Sequence, residues 1–335
     1  MPAHRSGPYR RRPLVAAATA LSATLALLLT HPGAASASDT PADPDPTVGA
    51  PADPDPTAGL PADPDPTAGL PADPDPVPGA PADPDPVKGT PADIDLPAGT
   101  PARGTAHMGM GVIEHDGQGG TPRSERVAQT EGVDVSSHQG NVDWAALWSS
   151  GVKWSYNKAT EGTSYKNPYF AQQYNGAYNI GMIRGAYHFA TPNDSSGTSQ
   201  ANYFVDGGGG WSRDGKTLPG VLDIEWNPYG ASCYGKTQAQ MVQWIRDFLG
   251  TYRSRTGRDA VIYTATSWWK DCTGNYTGFG ATNPLWIARY DTTVGELPAG
   301  WDFQTIWQYT STGPLVGDHD RFNGALDRVL ALANG

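Results

Sequence analysis

Val221-Leu222-Asp223-Ile224-Glu225-Trp226 reads as a short strand that ends in two acids. Side chains along a strand alternate between its faces, so Asp223 and Glu225 share one face, with α-carbons about 6.5–7 Å apart. Leu222, Ile224 and Trp226 take the other face, where they are expected to be buried. Two carboxyls held this close perturb each other, one tending to stay ionised and the other to keep its proton. Glycoside hydrolysis needs that division, because one group donates a proton and another supports developing positive charge. A lone D-x-E pair is equally compatible with strand-end acids bonded to caps or to an arginine, so its surroundings decide.

Those surroundings repeat a pattern. Within the roughly 205 residues from Glu131 to Gly335, enough for one sizeable core, lie all 11 Trp of the chain. Strand-like runs cover 132–135, 152–156, 182–189, 221–225, 260–264, 285–289 and 305–309. Between them fall helical patterns at 169–178, 200–205, 237–255 and 325–332; in the third, Met241, Ile245, Phe248 and Tyr252 recur at helical spacing. β-α alternation predicts a parallel sheet. Seven or eight strands fit a closed or nearly closed barrel better than an open sheet. The later strands follow one another with little helix between them, so the α/β fold predicted is an irregular, TIM-barrel-like (β/α) barrel with fewer than eight helices.

Active sites of such barrels lie at the C-terminal strand ends. There the sequence places Asp134, followed by Ser136, Ser137 and His138, then Lys158 to Gly162, and Tyr187-His188-Phe189. Asp223 and Glu225, Tyr263, Arg289-Tyr290-Asp291 and Gln308-Tyr309 complete the rim. Acids and aromatics gather on one edge, the aromatics suited to sugar faces or, for many of them, to packing.

The N-terminal part is of another kind. Arg10-Arg11-Arg12, an apolar run from Leu14 to Leu29 and Ala35-Ser36-Ala37 read as a secretion signal over 1–37, better than as a transmembrane anchor. Residues 38–106 are dominated by a ten-residue repeat, Pro41-Ala42-Asp43-Pro44-Asp45-Pro46 and its successors. Rich in Pro and Asp and poor in apolar bulk, the repeat reads as a disordered, extended spacer. Residues 107–130 are Gly-rich, a linker or an extension that wraps the following domain, and 131–335 is the expected catalytic domain. The net charge of −11 is mainly a tail property. Residues 1–130 carry 16 acids against 8 bases and the remainder 18 against 15. No basic stripe or recognition motif points to nucleic acid.

In order along the chain, several segments resemble glycoside hydrolase family 25, the Chalaropsis-type or bacteriophage-type lysozymes. They are Gly132-Val133-Asp134-Val135-Ser136 with His138-Gln139-Gly140, Lys158-Ala159-Thr160-Glu161-Gly162, and Arg184-Gly185-Ala186-Tyr187-His188-Phe189. Asp223-Ile224-Glu225, Leu285-Trp286-Ile287-Ala288, Trp307-Gln308-Tyr309, and Asp320 ahead of Phe322-Asn323-Gly324 complete the series. The resemblance covers the whole folded part. It implies hydrolysis of the β-1,4 bond between N-acetylmuramic acid and N-acetylglucosamine in peptidoglycan. Glu225 matches the general acid, Asp223 its partner, and Asp134 and Asp320 two further acids; Asp318 shares the face of Asp320 if that segment is extended. Tyr187, Tyr263, Trp286, Arg289 and Tyr309 are the candidate substrate-binding residues. A chitinase-like N-acetylhexosaminidase is disfavoured because Leu218-Pro219-Gly220-Val221 stands where a longer acid run would be. A non-catalytic glycan-binding barrel is disfavoured because all four acids are present.

Cys233 and Cys272, in loops after the fourth and fifth strands of an exported chain, are expected to form a disulfide. No metal site is expected, since His138 and His188 stand far apart without a ligand cluster; His188 reads as a packed, hydrogen-bonded residue. No cofactor is implied. The expected protein is a secreted monomer that meets glycan strands and, once its signal is cleaved, no membrane.

Overall fold

Nine strands are laid down in chain order in the computed structural model, which describes residues 100–120 and 128–335, all within the unit Ala82–Gly335. The signal segment at 1–37 and the repeat over 38–99 lie outside the described residues. The strands are β1 (Thr130–Val135), β2 (Trp154–Glu161), β3 (Tyr165–Lys166), β4 (Ile183–Phe189) and β5 (Val221–Asp223). β6 (Val261–Thr264), β7 (Leu285–Ala288), β8 (Ile306–Thr310) and β9 (Asp318–Phe322) follow. Their neighbours run β1-β9-β8-β7-β6-β5-β4-β2, and β1 pairs with β2, closing an eight-stranded barrel; β3 is an antiparallel appendage of β2.

Seven α-helices are present among the described residues: α1 (Val112–Asp116), α2 (Trp144–Ser149), α3 (Phe170–Asn179), α4 (Gly197–Phe204), α5 (Gln238–Thr256), α6 (Thr266–Thr273) and α7 (Leu326–Asn334). The irregular barrel predicted from the sequence is therefore the fold. Three departures have physical reasons. β2 runs on through Lys158 to Glu161, past the strand-like run at 152–156. β9, absent from the expected strands, is antiparallel to both β8 and β1. Only a short connection joins Thr310 to Asp318, and a parallel neighbour needs a crossover of roughly a dozen residues or more. Cys272 is bonded to Cys233 as expected, but it sits on α6 and not in a loop.

Large aromatics fill the barrel. Trp286 packs against Tyr156 (centroids 5.0 Å apart) and edge-on to Tyr263 (5.3 Å) and Trp154 (6.2 Å). Gly132 makes room for this layer, since a Cβ there would come within 2.2 Å of the Trp154 ring. Outside, α5 starts at a capping box of Thr237 and Gln240 and buries Met241, Ile245, Phe248 and Tyr252, the stripe its periodicity predicted. On the opposite flank, Val133 and Val135 of β1 meet Trp144 and Leu147 of α2 and Ala177 of α3 in a second apolar cluster. The rigid cylinder leaves its C-terminal strand ends to carry the chemistry.

Candidate active site

β5 ends at Asp223, and Glu225 follows two residues later; both are buried at the barrel mouth. No donor reaches either oxygen of Asp223, and the acid beside it is Glu225. Across the mouth, Asp134 of β1 stands opposite Asp318 of β9 in the strand register, and Asp320 lies two pairs deeper, opposite Gly132. The structure thus brings Asp134, Asp223, Glu225 and Asp320 together, and Asp318 with them. Gln308 of β8 ties this group. Its Nε2 donates to Asp134 Oδ2 at 2.7 Å and to Asp318 Oδ2 at 3.3 Å. Its Oε1 accepts from the hydroxyls of Tyr263 (2.6 Å) and Tyr290 (3.0 Å). Gln308 and Tyr290 stood on the predicted rim but were not singled out, because an amide and a phenol carry no catalytic signature of their own.

The five candidate substrate-binding residues divide. Tyr187 is fully buried among Asp134, Asp223 and Asp318. Tyr263 braces Gln308. Trp286 is a correction: it is fully buried in the barrel, and its Nε1 donates to Asp320 Oδ1 at 3.1 Å, so it forms the floor of the site and offers no sugar-stacking face. Tyr309 stands apart from the acid cluster. It lies on the face of β8 opposite Gln308, where its hydroxyl donates to Glu131 Oε2 at 2.9 Å. Arg289 stays at the rim, paired with Asp291 at 2.8 Å. His188 is packed as expected, between Thr160 Oγ1 (2.8 Å) and Gln200 Oε1 (3.0 Å), behind the barrel wall.

Lys158 of β2 has its ammonium fully buried at the mouth, 2.6 Å from Glu161 Oε2, and Tyr229 donates to Glu161 Oε1 at 2.6 Å. An ion pair taken this far out of water needs further hydrogen bonds to be tolerated. They come from an unexpected source. Lys158 Nζ donates to the carbonyls of Gly104 (3.2 Å) and Ala106, and the Gly104 N–H donates to Glu161 (3.1 Å).

Residues 100–120 thus cross the mouth of the barrel. Arg103 forks onto Asp194 at 2.6 and 3.0 Å and covers the Tyr229 ring. His138 Nε2 bonds the Thr105 carbonyl at 2.7 Å. Met108 and Val112 are fully buried in the main core cluster. The Gly109 N–H donates to Glu225 Oε1 at 2.7 Å, and His115 stacks on Trp226 with ring centroids 3.9 Å apart. Of the two options for 107–130, the described part wraps the domain, and packing begins before residue 107, at Gly104 and Ala106.

With water excluded, the acids move in one direction. Burial raises Glu225 to about 8, against the pull of the N–H groups of Gly109 and Gly111, and raises Asp134 to about 7, against its bond from Gln308. Asp223 is pushed well above the usual carboxylate range by burial and then by the charge of Glu225, with Lys158 opposing. In the covered site both acids of the pair are thus raised, Glu225 with backbone donors beside it and Asp223 with Glu225 as its neighbour.

A ring of acids at the C-terminal mouth of an irregular β/α barrel, two of them from the end of one strand, defines an acid-pair barrel glycosidase. Residues 133–318 match the model of the Glycosyl hydrolases family 25, and the chain belongs to that family. It is 49% identical over 241 residues to "Lysozyme M1" of Streptomyces globisporus, covering 69% of this chain and 82% of that one. It is 46% identical over 209 residues to the "N,O-diacetylmuramidase" of Chalaropsis sp, covering 61% and 99%. A solved muramidase from Acremonium alcalophilum is 54% identical, with TM-score 0.61, and aligns with 62% of this chain and 99% of its own. The whole of that muramidase thus corresponds to about 62% of this chain. The similarity to Lysozyme M1 reaches further, since residues 131–335 make up only about 61% of this chain.

Proposed function

We propose that this chain is a lysozyme, an N-acetylmuramidase that hydrolyses the β-1,4 bond between N-acetylmuramic acid and N-acetylglucosamine of bacterial peptidoglycan. The observation that carries this reading is the pair Asp223 and Glu225 at the end of β5, inside a ring of acids in a family 25 barrel. Glu225 is the proton donor to the glycosidic oxygen: a carboxyl in a water-poor site beside a second acid keeps its proton near neutral pH. Asp223, ionised once a wet cleft and Lys158 relieve it, orients the substrate's own 2-acetamido group as that group attacks the anomeric carbon. Such participation is a known alternative to a protein nucleophile. Asp134 and Asp320 hold the facing side, positioned by Gln308 and Trp286.

The enzyme acts outside the cell as a monomer on glycan strands, with the Pro/Asp repeat as a spacer that takes no part in catalysis. The disulfide supports an exported protein. The test is Glu225→Gln in residues 128–335. Cell-wall clearing should fall by about 10²–10⁴-fold while glycan binding is kept, and a substrate with an activated leaving group should recover much of the rate. Near-normal clearing by that variant would overturn the assignment.

A further inference from the structure

The acids that would meet a glycan are covered by the chain's own backbone. We propose that residues 104–111 are an inhibitory occupant of the glycan cleft, so that the chain carrying them is a latent enzyme, active once this segment leaves the barrel mouth. The inference rests on the muramidase reading above and adds to it the control of the same site.

Three observations carry it. The first is position. Glu225 Oε1 accepts the Gly109 N–H at 2.7 Å, where a protonated Glu225 would have to reach a glycosidic oxygen. The peptide N–H occupies the place the glycosidic oxygen would need, so the segment blocks the proton transfer by position. The second is fit. Gly109 has φ +77°, and a Cβ on it would lie 2.0 Å from the Tyr290 hydroxyl and 2.6 Å from Gln308 Oε1. Only a residue without a side chain passes at this depth, with Met108 and Val112 anchoring either side in the core cluster. The third is chemistry. The segment offers Lys158 two peptide carbonyls and offers Glu161 and Glu225 two peptide N–H groups. An N-acetyl sugar presents the same amide acceptor and donor, so occupant and substrate compete for the same partners. His115 on the Trp226 ring covers an aromatic face suited to a pyranose. The segment is separable from the barrel. Residues 113–120 are exposed, and a solved muramidase aligned over 99% of its own length takes up only 62% of this chain. Similarity to Lysozyme M1 that extends N-terminal to residue 131 shows that sequence outside the barrel is shared with that relative.

The experiment compares cell-wall clearing by the full chain, the full chain with Gly109→Val, and residues 128–335. Both altered forms should be at least roughly tenfold faster than the full chain, since activity scales with the fraction of molecules whose cleft is open. Glu114→Gln, on the exposed run, should leave the full-chain rate where it was. A full chain as fast as residues 128–335 overturns the proposal and leaves the muramidase reading standing. If residues 128–335 clear no walls, it is the muramidase reading that fails. Amide hydrogen exchange over 104–111 in the full chain then decides occupancy without reference to activity. Slow exchange, accelerated by Gly109→Val, upholds the occupant, and exchange at the rate of an open peptide refutes it.

Discussion

Removing the Gln308 amide should detune Asp134 more than it disturbs the rest of the barrel. Nε2 supplies Asp134 with its 2.7 Å hydrogen bond, and Oε1 takes two tyrosine hydroxyls. A hydrogen bond to a charged group contributes about 1.5–3 kcal/mol, and one pKa unit corresponds to about 1.4 kcal/mol. Gln308→Leu should therefore raise the Asp134 pKa by about 1–2 units. It also strands Tyr263, Tyr290 and Asp134, at about 1–3 kcal/mol for each buried unsatisfied group, so a loss of about 3–9 kcal/mol in stability accompanies it. Gln308→Glu separates the two effects. It keeps the acceptor for both tyrosines and turns the donor that faces Asp134 into a second acid. The assay is the pH dependence of wall clearing by residues 128–335, with thermal unfolding in parallel. The acid limb should move up by about 1–2 units in both variants, while only Gln308→Leu unfolds much earlier. An unmoved acid limb in both variants would refute the role given to Gln308, even if Gln308→Leu proved unstable.

Other outcomes follow from the same geometry. Replacing Cys233 and Cys272 by Ser opens a loop with a sequence separation of 39, which the chain-entropy model puts at about 4 kcal/mol. At about 2–4 °C per kcal/mol for a domain of this size, the melting point should fall by roughly 8–16 °C, and an unchanged melting point would contradict the model. Asp320→Asn, at the floor on Trp286, should cost more wall-clearing activity than Asp318→Asn, whose bond from Gln308 is 3.3 Å long; steady-state rates of the two decide. The advantage of residues 128–335 over the full chain should shrink as pH rises from about 5 through about 8. Glu225 at about 8 and Asp134 at about 7 are raised in the covered site by burial, so that site holds protons the open one releases. Stabilisation of the cover is then complete in the ordinary carboxylate range and is lost as pH passes the raised values. The groups facing them are Asp223, Asp318, Asp320, Lys158, Tyr187, Tyr263 and Tyr290, and a rate ratio that grew with pH would contradict this sign.

What could be read from the sequence was whatever the local pattern encodes. α5 declared itself through a 3.6-residue stripe, and β6 and β7 through apolar runs buried on both faces. The second half of β2 and all of β9 did not, because at the mouth of a barrel the inward positions are polar. Lys158 points into the site, and Asp318-His319-Asp320-Arg321 places acids inside and an arginine bonded to Glu131 outside, so neither stretch looks like a strand. The covering segment is the extreme case. His107-Met108-Gly109-Met110-Gly111 has no periodicity, and its partners Lys158, Glu161 and Glu225 stand about 50 to 115 residues further along the chain. Its glycines read as flexibility in a linker, yet Gly109 is needed for depth of insertion: only a bare backbone brings an N–H to 2.7 Å from Glu225 between Tyr290 and Gln308. Local pattern cannot separate those two uses of glycine, because the steric limit is set by the receiving cleft. A cleft of five acids, in turn, leaves carboxyls such as Asp223 without donors until a segment, a saccharide or water supplies them. The sequence that built the acids for substrate also made the barrel mouth a place where a peptide rich in free amides would bind.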